Sequence, residues 1–207
     1  MLIERPRAAI YSAALGIMNQ FIETSLAGWQ NFYVIVGSSG GALTGLQFVV
    51  ITLVTQARAA GTMRDIHAFG TPTVMHFCTA LLISAVMTAP WQTSLSLGLC
   101  LGGLGVAGIA YSFRIMWHAG RAAYRPDLVD WAWYIVFPLV GHVALAGGAA
   151  ALMWWNATWS FVIIAVDALV FLFVGVHNAW DTVTFIAVRH GDHGRNEVTN
   201  GVDSEAG

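Results

Sequence analysis

Lysine is missing from this 207-residue chain, and charge of either sign is scarce. Only 10% of residues are Asp, Glu, Lys or Arg, against roughly a quarter in a soluble domain. The formal net charge is −2 and all nine basic residues are Arg. Phosphate binding needs a basic surface, so no nucleic-acid partner is expected. Cysteine is equally sparse. Cys78 and Cys100 have neither CxxC spacing nor a watery loop around them, and they read as small packing residues rather than a disulfide or metal pair. HExxH is absent, no GxGxxG follows a strand, and no Walker-type Lys exists, which excludes the familiar zincin and phosphate-cradling patterns.

What fills the chain is hydrocarbon. Hydrophobic residues make up 57% of it, and the mean hydropathy is +0.66. No Asp, Glu, Lys or Arg occurs from Gln30 to Ala57, from Ile66 to Phe113, or from Trp131 to Val166. A helix needs about 20 apolar residues to cross a bilayer, so these gaps hold one, two and more than one span. The expected fold is an all-α membrane protein, a five-helix transmembrane bundle with spans near 31–55, 71–89, 94–117, 129–155 and 158–188. Pro72 suits the first turn of the second span, and Pro90-Trp91-Gln92-Thr93 makes a tight hairpin into the third.

Residues 1–28 precede the bundle. Tyr11, Leu15, Met18, Ile22, Leu26 and Trp29 share one helical face, with Asn19, Gln20 and Glu23 interspersed, which predicts an amphipathic helix on the membrane surface. A sixth span is the rival reading. A signal peptide cleaved after Ser25-Leu26-Ala27 is a third, with a poor apolar core. Residues 189–207 are polar, lack apolar periodicity and are expected to form a disordered cytoplasmic tail.

Arginine sets the orientation. Arg58, Arg64, Arg114, Arg121, Arg125, Arg189 and Arg195 fall on one side, and the hairpins around Trp91 and Trp155 carry none. The positive-inside rule puts the Arg-bearing loops and the C-terminus in the cytoplasm. Trp29, Trp91, Trp154, Trp155 and Trp159 then form an outer aromatic belt, and Trp117, Trp131, Trp133 and Trp180 an inner one. Gly37, Gly41 and Gly45 stand at four-residue spacing in the first span, a doubled GxxxG stripe suited to close packing within the bundle or to a homodimer seam.

The informative anomaly is polarity inside the last span. An ionisable group at bilayer depth costs roughly 2.5–3.5 kcal/mol on insertion scales, so it needs a partner or a task. At 100° per residue, Asp167, Asn178 and Asp181 fall within about 60° of one another, and His177 stands one turn above Asp181. Two layers are predicted. His142 and Asp167 lie at the midplane, and His76, Arg114, His118, His177, Asn178 and Asp181 lie nearer the cytoplasm. Four readings compete. The groups could satisfy one another, as Asp181 with Arg114 and Asp167 with His142, in a non-enzymatic accessory or interaction protein. His177, Asp181 and His76, completed by His118 or His142, could hold Zn in an intramembrane hydrolase. His76 and His177 could be axial haem ligands. A His/Asp chain could form an ion or proton pathway in a small oligomer.

Two stretches carry a resemblance. Residues Trp29 to Gly37, WQNFYVIVG, continuing to LTGLQFV at 43–49, resemble the first helix of a group of small uncharacterised bacterial inner-membrane proteins. GVHNAWD at 175–181 is similar to the end of their last helix. The resemblance implies a bacterial inner-membrane location and a five-span core, and brings no activity with it. The expected partners are the lipid bilayer and a second copy or another membrane protein.

The topology is open to a direct test. A green fluorescent protein fused after Gly207 is expected to fluoresce, and alkaline phosphatase fused at Gln92 or Asn156 to be active. The reverse pattern would invert the orientation.

Overall fold

The computed structural model describes the backbone of residues 4–57, 63–119, 128–155 and 158–205, and side chains within 24–52, 71–117, 129, 131–155 and 158–184. Among the described residues every element is helical. Helix α1 is Glu4–Ala57, α2 Met63–Thr88 and α3 Ser94–Ala119. A single turn, α4 (Leu128–Trp131), leads through a π-helical turn at Ala132–Val136 into α5 (Phe137–Trp155), and α6 is Trp159–Glu205.

Five helical stretches are long and apolar enough to cross a membrane: Thr24–Thr52, Thr71–Thr88, Ser94–Trp117, Ala132–Trp155 and Trp159–Thr184. They overlap all five predicted spans. Their surfaces are inverted relative to a soluble protein. Ile35, Leu99, Val106, Val162 and Phe173 are exposed, while Thr73, His76, His142, Asp167 and Asn178 are buried. The chain is an integral, multi-pass membrane protein built as an all-α bundle.

Three local expectations change. The N-terminal amphipathic segment and the first span are one uninterrupted helix. At 1.5 Å per residue α1 is about 81 Å long. No proline follows Pro6 before Ala57 to break the hydrogen-bond ladder, and a separate sixth span would need a reversal of direction that α1 does not contain. Pro72 lies inside α2 rather than in its first turn, because the helix starts at Met63. The tail, expected to lack structure, continues α6 as helix to Glu205; no proline occurs after Pro138 to stop it.

Helices α2, α6, α5 and α3 follow one another around the bundle, α2 and α3 meet only sparsely, and α1 packs outside on α2 and the edge of α6. The α2–α3 hairpin is held locally. Trp91 Nε1–H donates to the Val86 carbonyl, and Thr93 caps α3 by accepting from Ser96 N–H at 3.2 Å.

Close approach between helices rests on glycine, because lipid supplies no hydrophobic drive for association. A methyl group on Gly105 would come within 2.8 Å of Ala146 N, and one on Gly40 within 3.1 Å of the Phe77 carbonyl oxygen. The predicted stripe on α1 is only partly used. Gly37 seats against Ser84, but Gly41 and Gly45 meet nothing within 4 Å. The buried face of α1 instead runs through Leu26, Tyr33, Gly40 and Gln47, a seven-residue repeat of the kind that keeps two helices in contact along a left-handed seam.

Overpacking a tight core typically costs about 1–3 kcal/mol. Gly105→Leu is therefore expected to lower the midpoint of unfolding in mixed detergent–SDS micelles clearly, while Gly41→Leu leaves it near the parent value.

Candidate functional site

Several short hydroxyl side chains of the spans look after themselves, although Ser160 Oγ is buried without a protein partner. Thr44, Thr79, Ser84 and Thr182 each donate to the carbonyl one turn back, at 2.8 Å. Hydrocarbon offers no other partner, so this back-bonding is the local solution available to Ser and Thr. Longer polar side chains cannot reach their own backbone so easily. They define the site.

Tyr33 on α1, His76 on α2, His142 on α5 and Asp167 on α6 are each no more than 4% exposed. Tyr33 lies within electrostatic reach of Asp167, and His76 within reach of His142. Phe171, one turn beyond Asp167, is fully buried between the two imidazoles. The His142 ring meets it edge-on at 4.6 Å and the His76 ring lies over it at 6.1 Å. Two helices thus bring two imidazoles to one phenyl ring of a third.

Glycine makes room for them. At Gly108 on α3 any Cβ would occupy the space of the His142 imidazole. At Gly141 a methyl would lie 2.8 Å from Asp167 Oδ1 and 3.0 Å from the Phe171 ring. At Gly175 it would meet the ring of Phe77. His142 Nδ1 lies 2.6 Å from the Pro138 carbonyl oxygen. A carbonyl can only accept, so Nδ1 carries the proton and the neutral ring presents its lone pair at Nε2.

Several polar atoms here are buried without a protein partner: Tyr33 Oη, His76 Nε2, Asp167 Oδ2, and both Nδ2 and Oδ1 of Asn178. A buried polar group without a hydrogen bond costs about 1–3 kcal/mol. Those of Tyr33, His76 and Asp167 therefore mark a place for exchangeable partners.

The two predicted layers are redrawn. His142 and Asp167 do share the core, but His76 joins them rather than the second layer, because α2 packs directly on α6 at Phe77 and Gly175. Asn178 is buried on the same face of α6 as Asp167. Eleven residues separate them, about 20° around the axis and about 16 Å along it. His177 and Asp181 are less deeply buried. Their side chains are 31% and 43% exposed, and His177 Nδ1 stands 3.2 Å from Asp181 Oδ2 at an angle outside hydrogen-bond geometry. The imidazole lies flat on Trp133, with ring centres 3.8 Å apart.

Trp133 belongs to the π-helical turn, where Phe137 N–H reaches back five residues to the Ala132 carbonyl. Pro138 follows immediately, and a proline ring crowds the carbonyl four residues before it, which a widened turn relieves. Such turns recur at functional sites. Arg114 is exposed on α3, which packs on α5; the contact Asp181 makes is with His177 on its own helix, not the anticipated Arg114 pair. His118 lies outside the described side chains.

Among the described residues no three His, Cys, Asp or Glu side chains converge to hold a metal. The anticipated trio divides, with His177 and Asp181 together and His76 elsewhere. A haem between His76 and His177 meets a closed gap, since Phe77 and Gly175 bring α2 and α6 into contact there. Sequence reasoning overlooked Tyr33 and Phe171. The seven-residue repeat of α1 would have turned Tyr33 inward. Nothing in the pattern of α6 marks Phe171 among its many apolar neighbours.

Truncating a buried phenyl ring costs about 3–5 kcal/mol, so Phe171→Ala is expected to lower the unfolding midpoint severely. Asp181→Asn, at a half-exposed position, is expected to stay within about 0.5 kcal/mol. Equal loss in both would place the structural centre elsewhere. Comparison with protein-family models, curated proteins and solved structures finds no match.

Proposed function

We propose that this membrane protein is non-enzymatic and that its buried core of Tyr33, His76, His142 and Asp167 takes up protons and passes them on within the bilayer. One observation carries the reading. Asp167 Oδ2, His76 Nε2 and Tyr33 Oη are buried without protein partners, although several hydroxyls of the same bundle, those of Thr79 and Ser84 among them, are satisfied by back-bonding. A polar cluster kept only for packing would be expected to pair internally. A cluster that exchanges protons needs groups whose partners come and go, through water or through a change of protonation state. The imidazole of His142, whose Nδ1 is held by the Pro138 carbonyl, and the carboxyl of Asp167 are suited to that exchange.

The Arg distribution supports a place in a bacterial inner membrane with the C-terminus in the cytoplasm. A second reading, an accessory subunit that docks another membrane helix or a second copy, is favoured by the outer face of α1, where Gly41 and Gly45 meet nothing within 4 Å.

Reconstitution into liposomes loaded with a pH-sensitive dye tests the proposal. Under a potassium diffusion potential the protein is expected to accelerate proton entry over empty liposomes. Asp167→Asn and His76→Gln are expected to return the rate to that of empty liposomes, and Asp181→Asn to preserve it. A folded parent protein with no flux would overturn the proton reading in favour of the accessory one.

A further inference from the structure

The face of α1 turned away from the bundle has a seven-residue repeat of its own. Thr24, Asn31, Ser38, Gly45 and Thr52 follow one another at that interval, and Gly28, Ile35, Ala42 and Val49 fill the positions between them. All nine are exposed, on the side of α1 opposite the buried Tyr33. Other helices expose what lipid favours, such as Leu95, Leu99 and Val106 on α3 and Val162, Val166 and Phe173 on α6. On α1, by contrast, four of the nine positions are polar and three are Gly or Ala. That is the composition of a helix–helix contact within a membrane.

Ser38 is the costliest of these residues to leave in lipid. It is the middle residue of the span Thr24–Thr52, about 21 Å of helix from either end. On the same helix Thr44 and Thr52 return their hydroxyls to the carbonyls of Gly40 and Phe48, at 2.8 Å. Ser38 and Asn31 make no hydrogen bond among the described residues. Hydrocarbon cannot supply one at that depth.

We propose that this face is the seam of a parallel homodimer, in which Ser38 and Asn31 each hydrogen-bond to their own counterparts in a second copy. The bilayer selects that occupant. A chain oriented by its arginines crosses in one direction, so the α1 helices of two copies run parallel and every residue has its counterpart at the same depth. Across a two-fold seam with a seven-residue repeat, the repeating positions meet themselves. Self-pairing requires groups that both donate and accept, as a hydroxyl and a carboxamide do. It also forbids charge at the seam, and none of the nine residues is charged. Close approach is open to it, since a methyl group at Gly28 or Gly45 would meet nothing within 4 Å. The seam gives the accessory reading above its partner and its contacts, and it does not require the core to conduct protons.

Cysteine cross-linking of the full chain in phosphatidylcholine vesicles maps the seam, in a Cys78→Ala, Cys100→Ala background. A disulfide needs Cα atoms within about 7 Å, so Ser38→Cys and Ala42→Cys are expected to form linked dimers roughly tenfold faster than Val34→Cys on the flank of α1 or Leu99→Cys on α3. Single-molecule photobleaching of the labelled parent chain in the same vesicles is expected to count pairs. Ser38→Leu is expected to weaken the pairing roughly tenfold, about 1.4 kcal/mol, and Ser38→Thr to keep it. Gly45→Leu serves if the leucine variant does not fold. A parent chain that stays single, cross-linking at Leu99→Cys as fast as at Ser38→Cys, or undiminished pairing in the leucine variants would each overturn the proposal, whatever the proton-flux measurement finds.

Discussion

Hydrocarbon cannot hydrogen-bond, and the architecture of this chain follows from that single constraint. It forces the backbone into helices, leaves the valine, leucine and phenylalanine side chains on the outside, and sends the hydroxyls of Thr44, Thr79, Ser84 and Thr182 back to their own helices. It also removes the drive that packs a soluble core. What remains to hold the helices together is close contact, and glycines supply it at the tightest crossings: Gly40 on α2, Gly105 on α5, Gly175 on Phe77.

Packing and polarity are not separate features here. The glycines that let helices touch also clear the space occupied by the polar side chains. Gly108 accommodates the His142 ring, and Gly141 accommodates both the Asp167 carboxyl and Phe171. Phe171 then makes ring contacts with both His142 and His76, so the two imidazoles share an apolar neighbour. The result is a core whose carboxyl, phenol and imidazole keep unsatisfied atoms. In lipid such atoms are costly enough to demand either a mobile proton, a water or a ligand.

Much of this was legible in sequence order. The charge-free gaps mark the spans because inserting a charge is expensive. Asp167 and His142 could be set at matched depth by counting 1.5 Å per residue from the span ends. The misplacements share one cause. Position along its own span puts His76 near the cytoplasmic end, but which residues of α6 it meets depends on how far α2 slides along α6, and that is decided where Phe77 packs on Gly175. Asp181 was paired with Arg114 because both are charged and similarly deep, yet α3 is not the neighbour of α6 that α2 and α5 are. Gly41 and Gly45 have the right spacing for a seam but the wrong rotation about α1, whose buried face follows the seven-residue repeat of Leu26, Tyr33, Gly40 and Gln47.

The amino-acid sequence by itself determined that the chain enters a membrane, crosses it in five helices, and carries Asp167, His142, His177 and Asp181 within its apolar stretches. These properties depend on composition and on spacing along one helix, which the order of residues specifies directly. Only the tertiary structure decided which polar residues share a core and which side chains stay on the outside of the bundle. Those outcomes turn on helix rotation and neighbour order. In a medium without a hydrophobic drive, they are set by a few contacts between residues far apart in the chain, such as Gly141 with Asp167 and Gly175 with Phe77.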